Sequence, residues 1–210
     1  MDFNRPGVGF LLLFWFIALV LNVGPSYAAP FSYSEGISGD LPADLPVPTV
    51  FAFGIGTNVI TGSNSVAINV SDDRDSFAFS IPAGTQLTQV TLAFSLVSTP
   101  AVLTSATESE RFNSGPVGLG GIASLDVNFL GGSPITAFSA NLPLGPGTYS
   151  IQDFLHGCFP ANPNCTWTDT YTWSFTVAAN RVTQPWSLLL VLVGLGYLLC
   201  WRWRLGTPRM

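Results

Sequence analysis

Few residues in this chain have types and spacing that could do chemistry, and the first group of them is acidic. Asp73 and Asp75 lie in a turn that precedes an alternating segment, and carboxylates are the oxygen ligands that calcium prefers. Glu35 and Asp40 could add oxygens from the segment before the first full strand. The spacing lacks the glycine and the terminal glutamate of an EF-hand loop. A solvated turn is the simpler interpretation, a structural calcium ion held by these carboxylates is the alternative, and no other cofactor is expected.

Two cysteines form the second group. Cys158 and Cys165 enclose six residues rich in proline and asparagine, so the loop between them needs a covalent cross-link to become ordered. A disulfide would stabilise the folded chain by about 2 to 3 kcal/mol in the chain-entropy model, and it requires an oxidising compartment. Zinc usually takes four ligands, whereas His156 is the single histidine of the chain. We therefore predict a disulfide here in preference to a metal site.

The same histidine bears on catalysis. A serine hydrolase needs a histidine that a carboxylate orients, and Asp153 lies three residues before His156. On a regular strand such residues point to opposite faces, so the two would pair only if the strand contained a bulge. We interpret His156 as a surface residue, and Glu108 and Glu110 as solvated residues of a polar loop. The sequence therefore predicts no enzyme, and a hydrolase would require a pocket that gathers two carboxylates.

The composition excludes one class of partner. Charged residues make up 9% of the 210 residues, against about 25% in an average soluble protein. All seven basic residues are arginines, and twelve acids leave a net charge of -5. Because phosphate binding needs a basic surface, we predict no nucleic-acid partner. The length fits one domain with additional segments at its ends.

Residues 1–28 have the layout of a secretory signal peptide. A short polar start with Arg5 precedes an apolar run over 8–23, and the small residues that follow place the expected cleavage between Ala28 and Ala29. The apolar run favours lipid, while Arg5 stays on the cytoplasmic side. An uncleaved N-terminal anchor is the alternative interpretation. We predict that the chain is exported.

A second apolar run, over 186–201, predicts a single transmembrane helix. Sixteen helical residues span about 24 Å, less than the hydrocarbon core of about 30 Å, so Trp186 and Trp201 would lie at the interfaces. Arg202 and Arg204 follow the run, which places the tail in the cytoplasm and the bulk of the chain outside. A buried C-terminal helix of the domain is the alternative, although the run has no polar face.

The C-terminal segment, 181–210, resembles the PEP-CTERM sorting signal of exported bacterial proteins. That signal has a Val-Pro-Glu-Pro box, an apolar helix and a basic tail. The box position here holds Val-Thr-Gln-Pro, so its two middle residues depart from the pattern. The resemblance implies delivery to the membrane and processing by an exosortase. The positions of the predicted motif are Val182, Gln184, Pro185, Gly194, Gly196, Arg202 and Arg204.

Between the two ends, large apolar residues alternate with small or hydroxyl residues. This period of two is typical of strands that bury one face, and clusters of glycine, proline and aspartate separate the strands. The pattern predicts an all-β fold, an antiparallel β-sandwich with a jelly-roll arrangement, over 49–180, after an extended arm over 29–48. The predicted strands lie at 49–53, 58–61, 65–70, 76–81, 89–96, 122–129, 135–140, 148–155 and 171–177.

A second resemblance covers about residues 33–96 and the strand start at 147–149. The segments Tyr33-Ser34-Glu35 and Gly39-Asp40-Leu41-Pro42, together with 73–87, are similar to the β-sandwich ectodomains that accompany many PEP-CTERM tails. Those ectodomains are similar to bacterial pre-peptidase C-terminal domains. The resemblance implies a sandwich fold and an exported location, and it says little about a biochemical role.

These observations predict an exported, membrane-anchored bacterial surface or extracellular-matrix protein with a non-catalytic sandwich. Processing by an exosortase is what the resemblance implies for it. The alternative is a carbohydrate-binding or adhesion module for a polysaccharide, in which Trp167, Tyr171 or Phe159 would be exposed and would stack on sugar rings. A hydrolase is the least favoured function. In each case the ectodomain is expected outside the cytoplasm.

Overall fold

The computed structural model describes residues 27–43, 49–67, 71–98, 105–116, 120–128, 133–159, 166–180 and 194–195. The chain divides into two units, Met1–Ala178 and Ala179–Met210, and the strands described here build the first. The elements are β1 (Ser32–Ser34), α1 (Glu35–Ser38), β2 (Val50–Ala52), β3 (Gly56–Ala67), β4 (Ser71–Asp72), β5 (Ser76–Ile81), β6 (Thr85–Ser98), β7 (Ser105–Ser114), β8 (Gly120–Asn128), β9 (Ile135–Ala137), a 3-10 turn (Ser139–Asn141), β10 (Gly147–Phe159) and β11 (Thr166–Ala179).

The strands form two sheets, so the predicted all-β, sandwich-like fold is confirmed. One sheet has the order β1-β3-β11-β6-β9, with β4 also paired to β3, and the other has the order β2-β5-β10-β7-β8. The prediction of purely antiparallel sheets is wrong, because β1 runs parallel to β3 and β2 runs parallel to β5. Each of these two strands is separated from its partner by more than twenty residues of chain, which is long enough for the crossover that a parallel pair requires.

The remaining long strands pair in a nested order. β3 pairs with β11, β5 with β10, β6 with β9, and β7 with β8, all antiparallel. The first half of these strands therefore pairs with the second half in reverse, as in one long hairpin folded over on itself. This is the order expected of a jelly roll.

Aromatic rings join the two sheets. Phe79 of β5 lies at the centre, and its ring centroid is 4.9 Å from that of Phe175 on β11, in the opposite sheet. Phe53 stacks on Phe79 at 4.5 Å, and Phe112 of β7 lies 6.2 Å away. All four side chains are buried, and such aromatic pairs add about 0.5 to 1.5 kcal/mol each beyond the area they bury.

Two strand predictions are wrong because of residues that face the inside of the sandwich. β7 was predicted as a polar loop, because its inward residues include Glu108 and Glu110 in place of apolar side chains. A turn was predicted at Gly62, but β3 continues through it. A Cβ at Gly62 would overlap the hydroxyl of Tyr171 and the carboxylate of Glu35, so the glycine serves a close approach inside a strand and does not mark a turn.

The N-terminal arm is held to the sandwich by one buried asparagine. The predicted arm, 29–48, contains β1 and α1 among its described residues. The side chain of Asn58 accepts hydrogen bonds from the backbone N–H groups of Phe31 and Gly54, at 2.8 and 2.9 Å. Its amide nitrogen donates to the carbonyls of Gly54 and Phe175, at 2.9 and 3.3 Å. One side chain therefore joins the arm, the β2–β3 loop and β11.

We expect Asn58→Ala to lower the free energy of unfolding by about 2 to 4 kcal/mol, because buried backbone groups lose their partners. Asn141→Ala is the matched control, since the Asn141 side chain makes one long hydrogen bond, of 3.4 Å, to Ile122. Urea denaturation of both variants measures the difference. Equal losses for the two variants would contradict the role assigned to Asn58.

Candidate metal-binding groups in the sandwich interior

The interior of the sandwich changes character along its strands. At one end of five strands the inward positions are apolar, and farther along the same faces carry polar or acidic residues, all of them buried. Beyond these residues, the buried side chains of Val66 on β3 and Trp167 on β11 are apolar again. Strands keep alternate side chains on one face, so these residues form one polar zone between the sheets. The changes are from Ile60 to Asn64 on β3, from Phe77 on β5 to Asp75 just before that strand, from Phe112 to Glu110 and Glu108 on β7, from Ile151 to Asp153 and His156 on β10, and from Trp173 to Tyr171 and Asp169 on β11.

A bulge in β10 brings an aspartate and the histidine together. The register of β10 against β7 shifts between Asp153 and Leu155, so Asp153 and His156 point to the same face. The Nε2 atom of His156 lies 2.6 Å from Oδ2 of Asp153 and 4.0 Å from Oε2 of Glu108. The interpretation of His156 as a surface residue is therefore wrong, since the residue is 6% exposed.

Glu108 and Glu110 were also predicted to be solvated, and both are buried. They lie two positions apart on β7 and are 3% and 2% exposed. Burial raises the pKa of Glu108 well above its ordinary value, and repulsion from Glu110 and Asp153 adds to this shift. Burial likewise raises the pKa of Glu110 to about 8. On β11, burial raises the pKa of Asp169 to about 7, although the nearby His156 opposes the shift. These acids resist ionisation in the absence of a cation.

Three of the four carboxylates predicted for calcium also come together. One ligand oxygen each from Glu35, Asp40 and Asp75 lies within 4.8 Å of the others. This group does not include Asp73, whose backbone N–H bonds to the carbonyl of Ser65. Burial raises the pKa of Asp75 to about 9. Its Oδ1 has no hydrogen-bond partner among the described residues, so the oxygen set fits calcium, which the three carboxylates would hold.

The first acidic group also fastens the arm. Oε1 of Glu35 accepts the backbone N–H of Leu41 at 3.0 Å, and Oε2 accepts that of Ser63 on β3 at 2.9 Å. The hydroxyl of Tyr171 donates to Oδ2 of Asp75 at 2.7 Å. Burial raises the pKa of Tyr171 far above its ordinary value, so this hydroxyl keeps its proton and remains a donor.

Two of the three carbohydrate-stacking residues predicted from the sequence are buried. Trp167 is 1% and Tyr171 is 5% exposed, and Trp167 meets the ring of His156 edge-on at a centroid distance of 5.1 Å. Extending the alternation of β11 two steps before Tyr171 would have placed both Asp169 and Trp167 inside. The side chain of Phe159, the third of these residues, lies outside the described part of the chain.

Several predicted sites lie outside the described residues. They include residues 1–26 of the signal peptide, Cys165 with the side chain of Cys158, and the predicted motif positions apart from Gly194. At the predicted cleavage site, the carbonyl oxygens of Ala28 and Ala29 lie against Gly54. No helix within the described ranges has the length and apolar character of a membrane span.

Comparisons with known proteins add no family. No protein-family model matches the sequence, and no curated protein matches it. The resemblances to PEP-CTERM tails and to pre-peptidase C-terminal domains therefore remain predictions that rest on the residues themselves.

We expect the metal-free protein to lose stability as the pH rises. Burial raises the folded-state pKa of Asp169, Glu110 and Asp75 to about 7, 8 and 9, whereas in the unfolded chain carboxyl groups titrate near 4. The folded state therefore binds more protons, so its stability is fully present below about pH 4 and is lost as the pH rises through about 9. Thermal melts from pH 4 to 9 in a chelator measure this slope.

The variant Glu110→Gln should flatten that slope, because a neutral amide replaces a carboxyl group that ionises at a cost. Asp126→Asn is its control, since Asp126 is exposed and accepts a hydrogen bond from the Ser109 hydroxyl at 2.7 Å. A melting temperature that climbs with pH in the metal-free wild type, or the same slope in Glu110→Gln, would refute the expectation.

Proposed function

We propose that this chain is an exported bacterial protein whose sandwich is a non-catalytic module of the cell surface or extracellular matrix. The proposal includes delivery by the signal peptide at 1–28, anchoring by the apolar segment at 186–201, and processing by an exosortase at the PEP-CTERM-like motif. The composition of the two ends supports it, because each pairs an apolar run with arginines on the side expected to remain in the cytoplasm.

One structural observation carries the non-catalytic part of the proposal. The carboxylates that would serve a hydrolase are enclosed between the sheets, with Glu108, Glu110 and Asp153 each no more than 3% exposed. A glycosidase instead needs its two carboxylates on either side of a bound sugar ring, about 5 to 9.5 Å apart and open to substrate. Buried acids at this density suit a structural role.

The calcium ion belongs to the same proposal. Glu35 and Asp40 come from the arm, whereas Asp75 belongs to the segment that leads into β5. An ion held by all three would tie the arm to the sandwich, as Asn58 does at the other end of β1. An exported module meets calcium outside the cell, and sites in extracellular modules bind it with dissociation constants of about 0.1 to 1 mM.

The test of export is the intact mass and membrane fractionation of the protein from its native host. We expect a chain that begins at Ala29, is found in the envelope or outside the cell, and ends near residues 183–186. Loss of Arg202 and Arg204 in the double variant Arg202→Gln/Arg204→Gln should impair this sorting, whereas Arg111→Gln, within the sandwich, should not.

Two other masses would change the proposal in different ways. A mature chain that retains residues 186–210 would remove the exosortase and leave a tail-anchored ectodomain. A chain that retains residues 1–28 and is found in the cytosol would refute export altogether.

A second candidate function, recognition of a polysaccharide, is favoured by one cavity. The cavity has a volume of about 250 Å³ and lies between the arm and β5. Its lining combines the rings of Tyr33 and Phe51, whose centroids are 5.0 Å apart, with the polar side chains of Asp40 and Ser76. An aromatic surface beside hydrogen-bonding groups is the combination that binds a sugar ring.

We expect Tyr33→Ala to weaken binding to the polysaccharides of the host envelope at least about tenfold, because one wall of the cavity is lost. Leu155→Ala is the control, since Leu155 is an exposed apolar residue that does not line this cavity. Glycan-array binding and calorimetry measure the effect. Absence of binding at millimolar sugar, or equal losses in both variants, would eliminate this function.

A further inference from the structure

The group formed by Glu108, Asp153 and His156 differs from the calcium group in its chemistry. Its three ligand atoms lie within 4.8 Å of one another, and all three residues are buried. His156 and Glu108 are direct cross-strand partners on β10 and β7, and the bulge in β10 adds Asp153 to them. One donor is an imidazole nitrogen, which suits zinc and other transition metals, while an all-oxygen set suits calcium.

Two further buried side chains, Asn64 and Glu110, border this group, and each has an oxygen without a hydrogen-bond partner among the described residues. Asn64 of β3 is 1% exposed, and its amide nitrogen donates to Oε2 of Glu108 at 3.4 Å. Its Oδ1 has no hydrogen-bond partner in the part of the chain that the structure describes, and the same holds for Oε2 of Glu110. A buried acceptor without a partner destabilises the folded state, and a cation among these oxygens removes that cost.

The crowding of carboxyl groups around this site also favours a cation. Glu108 interacts with the carboxyl groups of Glu110, Asp153 and Asp169, and each of them disfavours its ionised form. The imidazole of His156 can supply at most one positive charge to this set. A divalent ion reverses the preference for the neutral carboxyl form, because it favours the ionised form of every carboxylate that faces it.

We propose that Glu108, Asp153 and His156 bind one divalent transition-metal ion, Zn²⁺, with the Oδ1 of Asn64 as the fourth ligand. Three of these ligands belong to the sheet of β7 and β10, and Asn64 belongs to the opposite sheet on β3. The ion therefore cross-links the two sheets at the acidic end of the interior, where the described inward positions of β7 and β10 are Glu108, Glu110, Asp153 and His156. Four ligands from the chain close the coordination shell, as in structural zinc sites.

The site is separate from the calcium group, and the proposal does not depend on export. Glu35, Asp40 and Asp75 contain only oxygen donors, so the two groups should differ in metal preference. Zn²⁺ should occupy the histidine-containing group, and excess Ca²⁺ should not displace it. Conservative variants of each group can therefore be tested independently.

The experiment uses the full chain, purified without a polyhistidine tag because His156 is its single histidine. The protein is stripped with a chelator and dialysed against Zn²⁺ in the presence of excess Ca²⁺, and bound zinc is counted by mass spectrometry of the metal. Co²⁺ in place of Zn²⁺ reports the ligands through its visible absorption spectrum. We expect one Zn²⁺ per chain, a melting temperature that rises with Zn²⁺ concentration, and a Co²⁺ spectrum typical of four-coordinate nitrogen and oxygen ligands.

Two variants test the ligands, and two controls test the alternatives. His156→Gln and Glu108→Gln should each lower the affinity for Zn²⁺ at least about 100-fold. Glu108→Gln should also fold without metal, because it removes one of the mutually repelling carboxyl groups. Asp40→Asn, in the calcium group, should keep the zinc. The double variant Cys158→Ser/Cys165→Ser should keep it as well, which excludes binding by the thiols.

Three results would overturn the proposal. The first is a wild-type chain that binds no Zn²⁺ at micromolar concentration. The second is unchanged zinc binding in folded Glu108→Gln and His156→Gln, with circular dichroism as the measure of folding. The third is loss of zinc in the cysteine double variant, which would assign the ion to the thiols.

Discussion

Five carboxyl groups and one imidazole lie between the two sheets, where water cannot solvate their charges. They are Asp75, Glu108, Glu110, Asp153, Asp169 and His156, and each is at most 6% exposed. Such groups stay in an interior when they are protonated, paired or bound to a cation. The apolar half of the sandwich has to supply enough stability to offset the burial of these groups. It does so through closely packed aromatic rings around Phe79. The ring centroids of its two nearest partners, Phe53 and Phe175, are 5.1 Å apart.

The apolar and acidic parts of the interior contribute to stability in different ways. At the apolar end, side-chain packing from both sheets provides the driving force for folding, which scales with the apolar area removed from water. At the acidic end, stability depends on how each polar atom is satisfied, because an unpaired buried group costs more than a typical hydrogen bond contributes. The Asp153–His156 contact and the Tyr171–Asp75 hydrogen bond, at 2.6 and 2.7 Å, show how short some of these contacts are.

The N-terminal arm contributes residues to the acidic end of the interior. Through Glu35 the arm reaches both the backbone of Ser63 and the neighbourhood of Asp75, and Gly62 leaves the space in which the Glu35 carboxylate and the Tyr171 hydroxyl meet. The arm therefore completes one acidic group that the sandwich strands alone could not form. In the proposed exported protein, an ion at this group and an ion at the Glu108 group would occupy neighbouring positions in the same interior zone, because the backbone N–H of Asp153 bonds to the carbonyl of Asp75 at 3.3 Å.

The sequence by itself determined the all-β class and the faces of the apolar strands, since a period of two depends only on neighbouring residues. β5 was predicted at its observed bounds, 76–81, because its Phe77, Phe79 and Ile81 alternate without interruption. The same pattern predicted β11, although its first half, with Asp169 on the buried face, escaped notice. Carboxylate chemistry suggested Asp73, Asp75, Glu35 and Asp40 as a calcium set, as the alternative to a solvated turn, and the fold groups three of them without Asp73.

Only the tertiary structure decided the strand β7, the bulge in β10 and the parallel edge strands. β7 carries glutamates on its buried face, so no local rule distinguishes it from a solvated loop until β8 and β10 pair with it on either side. The bulge that unites Asp153 with His156 depends on the register between β10 and β7, and this register joins residues about forty positions apart in the chain. Strand pairing between residues so far apart in the chain depends on all the strands that close the sandwich, so the local sequence does not predict it.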